Sequence, residues 1–108
     1  MEEGGATATE RGIIMDMLGR AIRDQGRAAE AEATFRRALA LKEEGGATAT
    51  ERGITMNNLG GAILDQGRAA EAEATFRRAL ALAEEGDAPA DLVDTIRHEL
   101  AAATKASI

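Results

Sequence analysis

The sequence has 108 residues and a formal net charge of −6, with one His, one Pro and no Cys, Trp or Tyr. The absence of Cys excludes disulfides and thiolate metal sites. The acidic balance argues against a nucleic-acid binder, which needs an excess of Lys and Arg to neutralise phosphates.

Ala, Glu, Arg and Leu dominate, and each loses little freedom on entering a helix. No apolar run approaches the ~20 residues of a membrane span. The acidic start Met1-Glu2-Glu3-Gly4-Gly5 is not a signal peptide. The reading is a soluble, cytoplasmic, all-α domain.

In chain order, Thr7-Ala8-Thr9-Glu10 has the spacing of a capping box and opens a first helix. Met15, Leu18 and Ile22 follow at helical spacing as its core face. Gly26 stops that helix, since Gly takes the left-handed conformation without a Cβ clash. A second helix carries Ala31, Phe35, Ala38 and Leu39 on one face and ends near Gly45-Gly46. Thr48 through Glu51 then repeats the capping box. Met56, Leu59 and Ile63 repeat the core face, Gly67 the stop, and Ala72, Phe76, Ala79 and Leu80 the second face, ending near Gly86. In a fifth helix Asp87 is the expected cap, Pro89 fits the first turn, and Leu92, Ile96, Leu100 and Ala103 form the apolar stripe.

The period is 41 residues: residues 2–41 and 43–82 align as 40 pairs, of which five differ. Repeat 1 spans about 2–42, repeat 2 about 43–83, and a capping helix about 87–105, all in one domain. Such self-similarity predicts an α-solenoid of tandem antiparallel helical hairpins. Near-identical repeats are what recent duplication or consensus design produces.

From Leu59-Gly60-Gly61-Ala62 through Gly67-Arg68-Ala69-Ala70-Glu71-Ala72 to Phe76-Arg77-Arg78-Ala79-Leu80, the sequence resembles the tetratricopeptide repeat, and Leu18 to Leu41 carries the same signature. Met56-Asn57-Asn58-Leu59 and the long period are similar to the kinesin-light-chain variety. The chain departs from the family pattern in having Met15 and Met56 at the early aromatic position, Ala28 and Ala69 at the later one, and no Pro after the second helix. The resemblance implies a non-catalytic scaffold that binds a protein or peptide along the concave face made by the first helices.

The five differing pairs are Ile14/Thr55, Asp16/Asn57, Met17/Asn58, Arg20/Gly61 and Arg23/Leu64. All lie on the first helix of the hairpin, while the exposed face of the second helix is unchanged. A fixed scaffold with a changed inner wall suits partner selection, and the five positions are expected to be nearly free of structural duty; drift or a self-association surface are the alternatives. The candidate ligand-binding residues are Asp16, Met17, Arg20, Arg23, Asn57, Asn58, Gly61 and Leu64, continued by His98 and Lys105 if the last helix is a third first helix. An amide side chain both donates and accepts, so Asn57 and Asn58 suit an extended peptide backbone. Arg20 and Arg23 suit a carboxylate. The resemblance assigns the backbone-binding role to Asn58, whose counterpart Met17 breaks the ladder.

The single His98 has no His partner for a metal site, the carboxylates form solvated stripes, and the glycines match no phosphate loop. No enzyme activity, metal or cofactor is therefore expected. Ile13, Ile14 and Met17 lie on a first helix with no preceding repeat, which predicts a weak homodimer, most simply two-fold.

Overall fold

A computed structural model describes residues 5–108. The acidic start and the first residues of repeat 1, up to residue 4, lie outside the described residues. Among those described there are five helices of 17 residues each: α1 (Ala8–Asp24), α2 (Ala28–Glu44), α3 (Ala49–Asp65), α4 (Ala69–Glu85) and α5 (Ala90–Ala106). α1, α3 and α5 start 41 residues apart, so α5 keeps the register of a first helix.

Local chemistry sets these boundaries. Thr7 completes its capping box, accepting from the Glu10 backbone N–H while Glu10 accepts from the Thr7 N–H. Thr48 makes only half of one, because the Glu51 carboxylate turns instead to Lys42, 3.1 Å away. Every hairpin turn closes with the same two bonds. After α1, for example, the Arg27 N–H donates to the Ile22 carbonyl and the Gly26 N–H to the Arg23 carbonyl. The left-handed residue of these turns is Gly26, Gly46 and Gly67, with φ of 79°, 69° and 78°. At the fourth turn it is Asp87, with φ 52°. Asp87 is therefore not the cap of α5, as its residue type suggested. It occupies the place of Gly46, and Pro89 stands at the N-cap without a side-chain bond.

Each hairpin closes on one aromatic knob. Phe35 and Phe76 are fully buried, as are Ala31, Ala38, Ala72 and Ala79. The Phe35 ring lies against Gly19, where an added Cβ would stand 2.6 Å from a ring carbon, and Phe76 lies likewise against Gly60 at 2.7 Å. The core continues through Met56, Leu59, Ala62 and Ile63 to Ile96 and Ala103 of α5.

Leu18 does not join it. The expected core leucine of α1 is 48 % exposed, whereas its counterpart Leu59 is buried at 3 %. The difference is neighbourhood: α3 is covered by α1 and α2 on one side, while among the described residues no helix packs on the corresponding side of α1. The first helices approach in sequence, α1 to α3 and α3 to α5, whereas the backbones of α2 and α4 stand apart and the two helices meet through side chains such as the Arg36–Glu71 ion pair at 3.5 Å.

Candidate ligand-binding face

α1, α3 and α5 lie side by side, and the centre of the α1–α3 junction is polar. Asp16 points from α1 toward α3 and is buried at 5 % exposure. Its Oδ2 accepts from Lys42 Nζ at 2.6 Å and from Thr55 Oγ1 at 2.6 Å, and the Asn58 amide lies 3.5 Å from its Oδ1. Lys42 rises from α2 into the same space with a side chain 1 % exposed. Its ammonium also donates to the Glu51 carbonyl at 3.1 Å and pairs with the Glu51 carboxylate. The ammonium thus has two hydrogen-bond acceptors and a second carboxylate 3.1 Å away, which offsets much of the cost of burying its charge.

Two turns along from Asp16, Arg23 crosses from α1 to α3. Its Nε donates to Asp65 at 2.6 Å and its Nη2 at 3.2 Å. The Asp65 carboxylate holds the guanidinium charged, raising its pKa. The guanidinium lies over Gly61, where a Cβ would stand 2.5 Å from Nη1. Further on, Asn57 is buried at 9 % beneath α5, with its Oδ1 unpartnered. Burial pushes the half-buried Glu99 carboxyl of α5 up, opposed by Arg23 and by the Asn57 amide.

The structure therefore divides the candidate residues. Met17, Arg20, His98 and Lys105 are exposed, Arg23, Asn58 and Leu64 are half-buried, and Asp16, Asn57 and Gly61 are buried. Met17, Arg20, Ala21 and Asp24 line a shallow pocket of about 290 Å³ on α1.

The expectation that the five differing positions lack structural duty is corrected. Asp16 meets Thr55 and Asn58, and Arg23 meets Gly61, so members of different pairs join the two repeats to each other. Lys42 escaped the sequence reading because it falls one residue past the aligned window. Its counterpart is Ala83. The signal was present: a Lys follows Phe35 and Ala38 at helical spacing on the buried face.

Around the ends the surface changes. Ile14 and Met17 are 58 % and 63 % exposed. Ile14 also joins Met15, Leu41, Arg11 and Arg37 in a groove of about 460 Å³. Among the described residues no group of three or more His, Asp and Glu is placed to hold a metal, and no helix is long and apolar enough to cross a membrane.

Tandem helical hairpins of fixed period, each with a small residue against an aromatic knob, define an all-α helical-repeat scaffold. The chain belongs to the tetratricopeptide repeat family, whose profile, described as Tetratricopeptide repeat, matches residues 10–85. A search of curated proteins gave no match. Repeats of this family are generally non-catalytic and serve protein–protein interaction.

Proposed function

We propose that the protein is a scaffold that binds a protein or peptide on the inner wall formed by α1, α3 and α5. The observation that carries this reading is the row of side chains on that wall left free beside satisfied neighbours. Arg20 makes no ion pair among the described residues, while Arg23, one turn away, is committed to Asp65. Arg20, with Met17 and Asp24 beside it, is the charged anchor for a partner carboxylate, and Asn58, His98 and Lys105 continue the contact along the wall. Asp16, Asn57 and Gly61 serve this surface by shaping it from below.

The test is capture from a lysate of the source cell, followed by calorimetric titration of the recovered partner. Arg20→Ala and Lys105→Ala should each weaken binding by about tenfold or less, as expected for partly solvated charge contacts, with unchanged circular dichroism. Unchanged affinity in both variants removes the inner wall as the binding surface.

A second reading, a self-associating module, is favoured by the exposure of Ile14 and Met17 on α1. Contiguous exposed apolar side chains mark association surfaces. Light scattering after size exclusion should then show mass rising with concentration.

A further inference from the structure

The seam between α3 and α5 holds a buried acceptor with nothing to accept. Asn57 of α3 is 9 % exposed, and its Oδ1 is shut off from solvent without a hydrogen-bond partner. An amide oxygen left in this state costs stability, because the water it gave up is not replaced. The same amide is engaged through its N–H, which meets the carboxylate of Glu99 across the seam on α5.

Glu99 is half-buried there. Burial pushes its carboxyl up from the ordinary value of 4.5, while Arg23 and the Asn57 amide pull it down. Its charged surroundings are sparse. α1 contributes Arg23, whose guanidinium is already committed to Asp65. α3 contributes Asp65, which repels the Glu99 charge, and α5 itself contributes the exposed His98. α4, the other helix packed on α5, turns its acids elsewhere: Glu73 accepts from Thr104, and Glu84 pairs with Arg97 at 3.4 Å. Among the described residues Glu99 therefore has no ion pair of its own.

An ionised carboxyl only accepts, so it serves the Asn57 N–H and never the Asn57 oxygen. A protonated carboxyl both donates and accepts. Set edge-on to a primary amide, it takes the amide N–H on its carbonyl and gives its own O–H to the amide oxygen. One proton on Glu99 thus removes two costs together, the half-buried charge and the orphaned oxygen.

We propose that the α3–α5 seam is a proton-operated latch: protonation of Glu99 supplies the donor that Asn57 Oδ1 lacks, so α5 seats more firmly on α3 in mild acid and loosens as the pH rises to neutral. Because burial raises the Glu99 carboxyl in the folded chain, its contribution is complete below 4.5 and is lost as pH rises through the folded value. Glu73 acts on the other side of 4.5. Its carboxyl is lowered, chiefly by the hydrogen bond from Thr104, so this second anchor of α5 fades only as pH falls below that value. Glu99 holds in α5 the register place of Asn58 in α3. The latch therefore lies on the wall proposed above for binding, but it works without a partner and does not depend on that reading.

The test uses the full chain with no ligand. Carboxyl-carbon NMR follows the titration of Glu99, and amide hydrogen exchange, corrected for the intrinsic effect of pH, follows the opening of α5. Between pH 5 and pH 7 the α5 amides should lose about fivefold in protection, the amount one hydrogen bond confers. Glu99→Gln presents a donor and an acceptor at every pH, so its α5 should be as protected at pH 7 as at pH 5. Glu99→Met removes the charge but brings no donor to Asn57 Oδ1, so it should recover less protection at pH 7 than Gln does. Equal recovery by Met and Gln overturns the latch, since relief of the buried charge would then suffice. A pH dependence that survives in Glu99→Gln also overturns it and assigns the response to another group, His98 first. The native chain decides even if a variant fails to fold: a Glu99 titration midpoint at or below 4.5 removes the proposal.

Discussion

Lys42 Nζ lies 2.6 Å from Asp16 Oδ2, and the two side chains are only 1 % and 7 % exposed. Removing one partner of such a pair leaves a buried charge without compensation, which costs about 3–5 kcal/mol. Asp16→Asn, which installs the residue of repeat 2, should therefore lower stability by about that amount in urea unfolding followed by circular dichroism. Adding Lys42→Ala completes the repeat 2 combination and should recover most of the loss. If the double variant is as unstable as the single one, the two residues are not coupled.

Acid stability should report Glu32. Its carboxyl is lowered to about 2, chiefly by the hydrogen bond from Arg68, which joins the two second helices' ends through α3's C-terminal turn. The folded pKa lies below the ordinary carboxylate value of 4.5. Its contribution is therefore complete above that value and fades as pH falls from about 4.5 toward 2. Urea midpoints measured across this window should fall more steeply for the native chain than for Glu32→Gln. Parallel profiles would show that other carboxylates govern the acid response.

Leu18 and Leu59 occupy the same repeat position in different surroundings, 48 % and 3 % exposed. Leu59→Ala should cost about 2–5 kcal/mol through lost burial and a cavity. Leu18→Ala should stay within about 0.5 kcal/mol, as surface changes do. Thermal unfolding of the two variants side by side gives the comparison, and equal losses would place Leu18 in a buried contact in solution.

Gly19→Ala improves helix propensity by about 1 kcal/mol but drives a methyl into the Phe35 ring, 2.6 Å from its nearest carbon. Overpacking of this kind costs about 1–3 kcal/mol, so the net effect should be a lower melting temperature. A raised one would mean that the ring moves aside freely.

The helices, their turns and the two-repeat period were legible because they rest on local signals. Thr7 and Glu10 are three residues apart, Gly26 and Gly67 announce their own backbone, and Phe35 keeps company with Ala31 and Ala38 within one face. The polar centre was not legible in the same way. Asp16 meets Thr55 across 39 residues and Lys42 across 26, and no local pattern states which of the charged residues turn inward. The two copies held a clue, since Asp16 with Lys42 becomes Asn57 with Ala83, a change of both partners together. Leu18 misled because the repeat pattern assigns a face, while a neighbouring helix decides whether that face is covered, and among the described residues none packs on that side of α1.

Asp87 holds a left-handed backbone, φ 52°, at a turn where Gly46 does the same work without a Cβ. A side chain there costs roughly 1–2 kcal/mol, and that cost falls on the joint between α4 and α5 alone. The last helix should accordingly open ahead of the hairpins, and its backbone amides should trade their hydrogens for deuterium before those of α3 and α4. Asp87→Gly should slow that exchange in α5 and leave the rates in α1 and α2 as they were. The fourth turn thus sets the order in which the molecule comes apart, beginning at its C-terminal end.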